Sequence, residues 1–169
     1  MMAEHAQYSD GLESDPVLSR PPDRGAYHEA GHAVAALCRG IPFESVSVLP
    51  ERASLGRLIL GPLFQQITDR EELIGRCVVA LAGPHAQSAY LGEPLEFGGT
   101  DLDNVHEILL RVAPLELERE ALRALIETET LAVIETHWDR IVRTAKLLQQ
   151  HPTIVSDELA KLLSLAPET

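Results

Sequence analysis

The sequence predicts a mainly α-helical domain that carries one small β element. Its length of 169 residues suits one domain with a sizeable core and is short for two. Most segments have apolar residues at helical spacing, and Gly, Pro and capping residues separate these segments from one another. One short segment instead alternates apolar and polar residues, which is typical of a half-buried strand.

The first predicted helix runs from about Pro22 to Arg39, and Gly40 provides its stop. Pro22 suits the first turn of a helix, and Arg39 suits the negative C-terminal end of the helix dipole. Residues 1–20 are polar, and we expect them to form a flexible acidic tail. Residues 21–169 are predicted to form a single domain.

A small β-hairpin is predicted beside this first helix. Val46 and Val48 alternate with two serines, and Leu58 to Leu60 form a second short apolar run. Residues 50–56 would be the loop between the two runs.

The next predicted helix begins at a capping box, in which Asp69 is followed three residues later by Glu72. Gly83 and Pro84 are expected to break or kink this helix. Pro84 would then open a second helical piece that ends near Leu91.

From residue 100 onward the sequence predicts further helices. Thr100 is expected to be an N-cap, with Asp103 completing the capping arrangement. Residues 114–150 contain few helix-breaking residues and predict one long helical stretch. A last helix is predicted to start near Ser156. The positions expected to face the core along the long stretch are Leu117, Leu122, Leu125, Ile126, Ile134, Ile141, Ala145 and Leu148.

The charge balance argues against nucleic acid and against anionic membranes as partners. The chain has 14 Lys and Arg against 26 Asp and Glu, a formal net charge of -12. An acidic surface repels phosphate backbones and anionic lipid. No window contains the ~18 apolar residues that a transmembrane helix requires, so no membrane span is predicted.

A cytoplasmic location is expected from the N-terminus and the cysteines. The first residues lack the basic and apolar pattern of a signal peptide. Cys38 and Cys77 both lie in apolar, helix-like stretches, and we expect two buried free thiols rather than a disulfide framework. Free thiols fit a reducing compartment.

Residues 26–33 read AYHEAGHA and contain a His-Glu-x-x-His pattern. His28 and His32 are four residues apart, so on a helix they share one face and can bind one metal ion. Glu29 would project toward the open side of that ion and can take a proton from a bound water. Zinc suits imidazole and carboxylate ligands. The pattern also arises by chance, but the surrounding Ala and Gly indicate a central helix, where buried polar side chains need partners.

A third ligand has to come from farther along the chain. The segment GGTDLDN, residues 98–104, is the best place to look, because its glycines allow close backbone approach and Asp101 has no local structural role. A first-turn acid can also simply favour the helix dipole, so other ligands stay open. These are His85, Glu93, Glu96, Asp103, His106, Glu107 and His137, among which His106 and Glu107 are the reserve ligands, although a solvated helix face fits them better.

The chain resembles the peptidase domain of the FtsH-type ATP-dependent zinc metalloproteases. The AYHEAGHA helix matches the family pattern without a departure, and FESVSVLP at residues 43–50 matches a family strand loosely. LAGPHAQ at residues 81–87 stands where the family has LAGRAAE, and GGTDLDN stands where it has G-A-x-N-D-L. The resemblance covers about residues 24–165.

The resemblance implies a helical zinc-peptidase domain in which His28, His32 and Asp101 ligate Zn2+ and Glu29 is the general base. The substrate would be a peptide or an unfolded protein segment, held as an added strand at the edge of the small sheet. The 169 residues show no ATPase module and no membrane anchor, so we expect a stand-alone peptidase. A homo-oligomer and a separate ATPase partner are the open alternatives. The departures within residues 84–87 affect local helix contacts rather than the ligands.

A second interpretation is a zinc-stabilised, non-catalytic binding or regulatory protein that retains the peptidase fold. The intact Glu29 argues against it, because a structural metal site needs no base. The missing ATPase module argues for it, because substrate delivery is then unexplained. A Glu29→Gln change separates the two interpretations, since the metal should stay while any proteolysis should vanish.

Overall fold

The computed structural model describes residues 23–49, 56–61, 64–95 and 99–164. The predicted tail over residues 1–20, the expected helix start at Pro22 and all of the expected loop except Gly56 lie outside these residues.

The described residues form six α-helices, three short strands and one 3-10 turn, which confirms the mainly α-helical prediction. The helices are α1 (Asp23–Arg39), α2 (Arg70–Leu91), α3 (Thr100–Val112), α4 (Glu116–Thr136), α5 (Trp138–Gln150) and α6 (Ser156–Ser164). The strands are β1 (Phe43–Ser47), β2 (Arg57–Leu60) and β3 (Thr153–Val155), and the 3-10 turn covers Phe64–Gln66. None of the helices in this part of the chain has the length and hydropathy needed to cross a membrane.

The three strands form one antiparallel sheet in the order β2-β1-β3. β1 and β2 are the predicted hairpin, with Val46 opposite Leu58, and Val46 also lies opposite Ile154 of β3. The sequence did not predict β3, because a strand of three residues is too short to show a period.

Helix α1 occupies the centre of the described structure, packed mainly against α2 and α5. Its small side chains make this possible, and the buried ones include Ala26, Ala30, Ala33, Ala35 and Ala36. A Cβ atom at Gly31 would lie 2.7 Å from the Cβ of Ala86, so glycine permits the close approach of α1 to α2.

Helix α2 begins as predicted but is not interrupted. The Asp69 side chain accepts a hydrogen bond of 2.8 Å from the backbone amide of Glu72, and Gly92 ends the helix at φ +65°. The expected break at Pro84 is wrong, since the helix continues through it to Leu91. A proline inside a helix costs about 3 kcal/mol. The buried residues on both sides of Pro84 offset this cost by packing against the neighbouring helices.

The predicted long helix over residues 114–150 is divided in two at His137. The amide of His137 donates to the carbonyl of Val133 and closes α4, while its own carbonyl accepts from Ile141 in α5. At φ -114° and ψ 23° the backbone leaves the helical region without Gly or Pro. The sequence therefore gave no breaker signal there. After the junction, the ring of Trp138 stacks on Tyr27 of α1, with 5.8 Å between the centroids.

The N-cap of α3 also differs from the prediction. Gly99 is the cap, at φ +96°, and no side chain bonds to it, while Thr100 is already helical. A φ of this sign favours glycine, so the backbone conformation rather than a hydroxyl group sets the helix start. The consequence is that Asp101 lies in the first turn of α3.

Burial along α4 and α5 follows the predicted stripe only in part. Leu122, Ile126, Ile134, Ile141, Ala145 and Leu148 are buried as expected. Leu117 and Leu125 are exposed, because Leu117 lies on the opposite side of α4 from Leu122 and Ile126, and Leu125 lies at the edge of the buried stripe. Cys77 is buried and free as expected, whereas Cys38 is free but exposed.

Candidate metal centre

Three of the predicted ligands lie together where α1 and α3 meet beside α2. His28 and His32 lie one helical turn apart on α1, and their Nε2 atoms are 3.0 Å apart. Oδ2 of Asp101 lies 3.3 Å from Nε2 of His28 and 3.4 Å from Nε2 of His32. These three ligand atoms face one common point.

The orientation of His32 is fixed by α2. Its Nδ1 donates a hydrogen bond of 2.7 Å to the backbone carbonyl of Val79, which leaves Nε2 as the atom that faces the site. The ring packs directly on Gly83, where a Cβ atom would lie only 2.5 Å from Cε1 of the imidazole. Glycine at position 83 therefore makes room for the ring.

Glu29 lies beside the cluster and is almost fully buried, with 4% of its surface exposed. Its Oε2 atom has no hydrogen-bond partner among the described residues. Gly56, which precedes β2, packs against this side chain, and a Cβ atom at Gly56 would lie 2.6 Å from Oε1. A buried carboxylate oxygen of this kind normally requires a partner.

The pKa values of the three clustered residues reflect their mutual charge interactions. Burial lowers the pKa of His28, and the hydrogen bond to Asp101 offsets part of this effect. Burial also opposes protonation of His32, but the Asp101 carboxylate outweighs it and raises the pKa of His32 to about 9. Burial would raise the pKa of Asp101, yet the two imidazoles hold that pKa well below its usual value. These directions favour a protonated His32 paired with an ionised Asp101.

The pKa of Glu29 is shifted upward, unlike that of Asp101. Burial raises the pKa of this carboxyl group to about 7, and the nearby His32 opposes the shift. A carboxyl group with a pKa near neutrality can exchange a proton at physiological pH.

The donor set fits a zinc ion. Two imidazole nitrogens and one carboxylate oxygen are the ligands found in catalytic zinc sites, which keep a further position open. With zinc–ligand bonds of about 2.0–2.1 Å, tetrahedral ligand atoms lie about 3.4 Å apart. The separations of 3.3 and 3.4 Å between Asp101 and the two imidazoles match this value, and the two imidazoles are slightly closer to each other, at 3.0 Å. Two neutral imidazoles repel at 3.0 Å when their lone pairs face each other, so the pair needs a proton or a metal ion between them.

The cluster opens into a cleft of about 340 Å³ that is lined by residues of α1, β2, α2 and α3. The side chains of His28 and Asp101 are 24% and 30% exposed, so the cluster can be reached from this cleft. The other residues that line it are Glu29, His32, Gly56, Arg57, Leu58, Leu60, Arg76, Val79, Ala80, Thr100, Asn104 and Ile108.

Among the described residues, none of the alternative ligands belongs to the cluster formed by His28, His32 and Asp101. Asp103, His106, Glu107 and Glu93 are exposed, and Glu96 lies outside the described residues. Nε2 of His85 lies 2.7 Å from a carboxylate oxygen of Glu127 on α4. His137 forms the junction between α4 and α5.

Three residues with structural roles at the site were not identified from the sequence. Val79 contributes only its backbone carbonyl, which no side-chain pattern reports. Gly83 was interpreted as a helix breaker and Gly56 as part of a loop. A glycine inside an otherwise strong helical pattern is the signal that could have indicated close packing at Gly83.

Comparisons with known proteins identify relatives among zinc metalloproteases. The chain is 29% identical over 173 aligned positions to ATP-dependent zinc metalloprotease FtsH 1 of Symbiobacterium thermophilum, covering 85% of this chain and 29% of that protein. It is 34% identical over 107 positions to ATP-dependent zinc metalloprotease FtsH of Acidothermus cellulolyticus, covering 60% of this chain and 16% of that protein. It is 32% identical over 99 positions to the mouse mitochondrial inner membrane m-AAA protease component AFG3L2, covering 56% of this chain and 12% of that protein.

The chain thus spans less than a third of the length of these relatives. No family model matches the chain. The names of the two FtsH relatives specify zinc, which agrees with the ion predicted from the sequence.

Proposed function

We propose that this chain is an FtsH-type zinc metallopeptidase that hydrolyses peptide bonds in peptides or unfolded polypeptide segments. The observation that carries the proposal is the convergence of His28, His32 and Asp101 on one point, with the buried Glu29 beside them. The similarity to named zinc metalloproteases supports it.

His28, His32 and Asp101 would hold the ion, and Val79 and Gly83 would keep the His32 ring in position. When bound, zinc supplies a water of lowered pKa, about 7, and polarises the scissile carbonyl group. The partly exposed side chains of His28 and Asp101 leave that side of the site open to substrate.

Glu29 would act as the general base. Its Oε2 atom is buried and accepts no hydrogen bond from the described residues, so it is available to take the proton of the attacking water. The same carboxyl group would then donate this proton to the leaving amine. Gly56 packs against this side chain, and its lack of a Cβ atom leaves room for the carboxyl group.

The substrate would bind along β2. This strand is at one edge of the sheet and lines the cleft with Leu58 and Leu60, two residues on the same face of the strand. An extended peptide could pair with the outer edge of β2 and present its backbone to the cluster. An unfolded segment can adopt this extended conformation without loss of native structure.

The relatives' names describe ATP-dependent proteases, which supports delivery of unfolded substrate by an ATPase. A homo-oligomer and a complex with a separate ATPase are the two alternatives for its assembly, and the location expected from the sequence is the cytoplasm.

The experiment is a cleavage assay on an unstructured reporter such as casein, with zinc-loaded protein, with chelator and with the Glu29→Gln variant. The proposal expects zinc-dependent cleavage that the variant lacks although it still binds zinc. Cleavage that survives the Glu29→Gln change would overturn the role of this site. Zinc binding without any cleavage would favour the non-catalytic binding protein.

A further inference from the structure

Helix α4 has apolar residues on two sides, and only one of these sides is buried in the described structure. The buried side consists of Leu122, Ile126, Thr130 and Ile134. The opposite side carries residues at alternating intervals of four and three, which places them on one face of a helix. They are Leu117, Ala121, Ala124, Thr128 and Leu131, and all five are exposed. These five residues form what we term the outer face of α4.

The outer face exposes large apolar side chains to solvent. Leu117 is 78% exposed and Leu131 is 48% exposed. Leu125, which follows Ala121 by one turn, borders this face and is 62% exposed. A surface helix normally has polar residues on the side that faces water. A continuous apolar stripe on that side is instead typical of a surface that binds another protein.

The order of side chains along the outer face suits a second helix laid along α4. Leucines lie at the two ends, and the small residues Ala121 and Ala124 lie between them. Small side chains let two helices approach closely, and leucines at this spacing pack between the side chains of the facing helix.

The charges along α4 select the kind of helix that can bind there. The helix contains six glutamates and two arginines, and one of these, Arg119, donates to the backbone carbonyls of residues 113 and 114. Glu120 and Glu127 directly precede Ala121 and Thr128, so both lie along one border of the outer face. Lys or Arg beside the apolar stripe of the facing helix would complement this border.

The same charges disfavour the occupants that this chain itself could supply. In an antiparallel pair of copies, Glu120 of one copy would lie near Glu127 of the other, and like charges at these positions repel. The net charge of -12 on each copy also opposes self-association in any orientation. Residues 1–22 carry four acidic side chains and one arginine, so their charge has the wrong sign as well.

We propose that the outer face of α4 binds an amphipathic helix of another protein, in which an apolar stripe is bordered by Lys or Arg. This inference goes beyond the proposed peptidase function and does not depend on it. The residues that line the cleft beside the metal cluster include none from α4, so the two sites are separate.

Binding of synthetic helices tests the inference without requiring turnover. The probes are fluorescein-labelled peptides of about six turns that share one stripe of Leu and Ala. One is bordered by Lys, one is bordered by Glu, and a third has the composition of the Lys helix in scrambled order. Fluorescence anisotropy with the metal-free Glu29→Gln variant gives the dissociation constants without cleavage. The Lys helix should bind at least about tenfold more tightly than the other two, and its affinity should fall as salt is added.

Two sets of substitutions then locate the binding site. The double variant Leu117→Ser, Leu131→Ser should weaken binding of the Lys helix at least about tenfold, because it removes the largest apolar contacts. The double variant Glu118→Lys, Glu120→Lys should shift the preference from the Lys helix to the Glu helix. All four positions are exposed, so the melting temperature should stay close to that of the parent protein.

Matched controls make the same changes at exposed positions of other elements. Leu49→Ser alters a leucine that is 55% exposed beside the sheet, and Glu107→Lys with Glu158→Lys reverses two exposed charges on α3 and α6. Neither control should change the affinity for the Lys helix by more than about twofold.

Equal binding of the three helices would overturn the inference. Tight binding that survives the loss of Leu117 and Leu131 would also overturn it, because the helix would then occupy another surface. A wild-type dimer in sedimentation experiments that the double leucine variant lacks would identify a second copy as the occupant and contradict the proposed partner. Loss of the peptidase proposal would leave these results unchanged, since none of them depends on zinc or on cleavage.

Discussion

The imidazole ring of His32 rests on the backbone of Gly83, so closely that a Cβ atom there would lie 2.5 Å from Cε1 of the ring. The position of one candidate ligand on α1 therefore depends on the absence of a side chain on α2. Nδ1 of His32 also donates a hydrogen bond to the carbonyl of Val79, which lies on the same helix as Gly83. This hydrogen bond limits how far the ring can move away from α2.

The Gly83→Ala variant is accordingly expected to lose zinc affinity. The added methyl group must displace the imidazole, and disturbing the groups that orient a ligand costs about 10–100-fold in metal affinity. Zinc titration against a competing chelator measures this effect. Gly61→Ala is the matched control, because no atom of the described residues lies within 4 Å of a Cβ at Gly61. Equal affinities of the Gly83→Ala variant and the wild type would show that the close packing is unimportant.

The Asp101→Asn change should weaken zinc binding by at least about tenfold, because it removes the only anionic oxygen of the proposed ligand set. Asp103→Asn removes the same charge from an exposed position on the same helix turn and should leave zinc affinity unchanged. The measurement is the zinc dissociation constant of both variants. A similar loss in both would indicate a general charge effect rather than ligation.

Zinc binding should strengthen as the pH rises. The pKa of His32 is raised to about 9, so below this pH the zinc-free protein holds a proton on His32 that zinc must displace. One displaced proton gives a change of about tenfold in affinity per pH unit, and the increase should level off near pH 9. Calorimetry at pH 7.5 in buffers of different ionisation enthalpy measures the released proton. Binding without proton release would contradict the assigned state of His32.

The two cysteines should differ in reactivity. Burial raises the pKa of the Cys77 thiol to about 12, and partial burial also raises the pKa of Cys38, but Cys38 is exposed whereas Cys77 is buried. Because the thiolate is the reactive form, a thiol reagent such as DTNB should modify one cysteine in the folded protein and both in denaturant. A Cys38→Ser variant should show no rapid reaction when folded. Rapid modification of this variant would mean that α2 opens readily around Cys77.

The sequence was sufficient to predict those features that depend on local patterns. The helical spacing of His28 and His32 placed both imidazoles on one face of α1, and Asp69 marked the start of α2. The alternation around Val46 predicted the strand that pairs with β2. Each of these signals lies within a few residues, where chain geometry determines which side chains share a face.

Features that depend on contacts between distant segments could not be predicted in this way. Pro84 remains helical because packing outweighs its local cost, and His137 divides a helix without any breaker residue. The approach of Asp101 to α1 spans about 70 residues of sequence, and spacing alone left other ligands open. The carbonyl of Val79 belongs to the backbone, so no side-chain pattern in the sequence indicates its role. Tertiary packing determines these features, and the local periodicity of the sequence carries no information about it.

The zinc ion itself provides the most direct test of the account. A crystal grown in the presence of zinc and measured at the zinc absorption edge should give an anomalous peak between Nε2 of His28, Nε2 of His32 and a carboxylate oxygen of Asp101. A peak at another position, or none at this position with zinc in excess, would contradict the proposed metal centre.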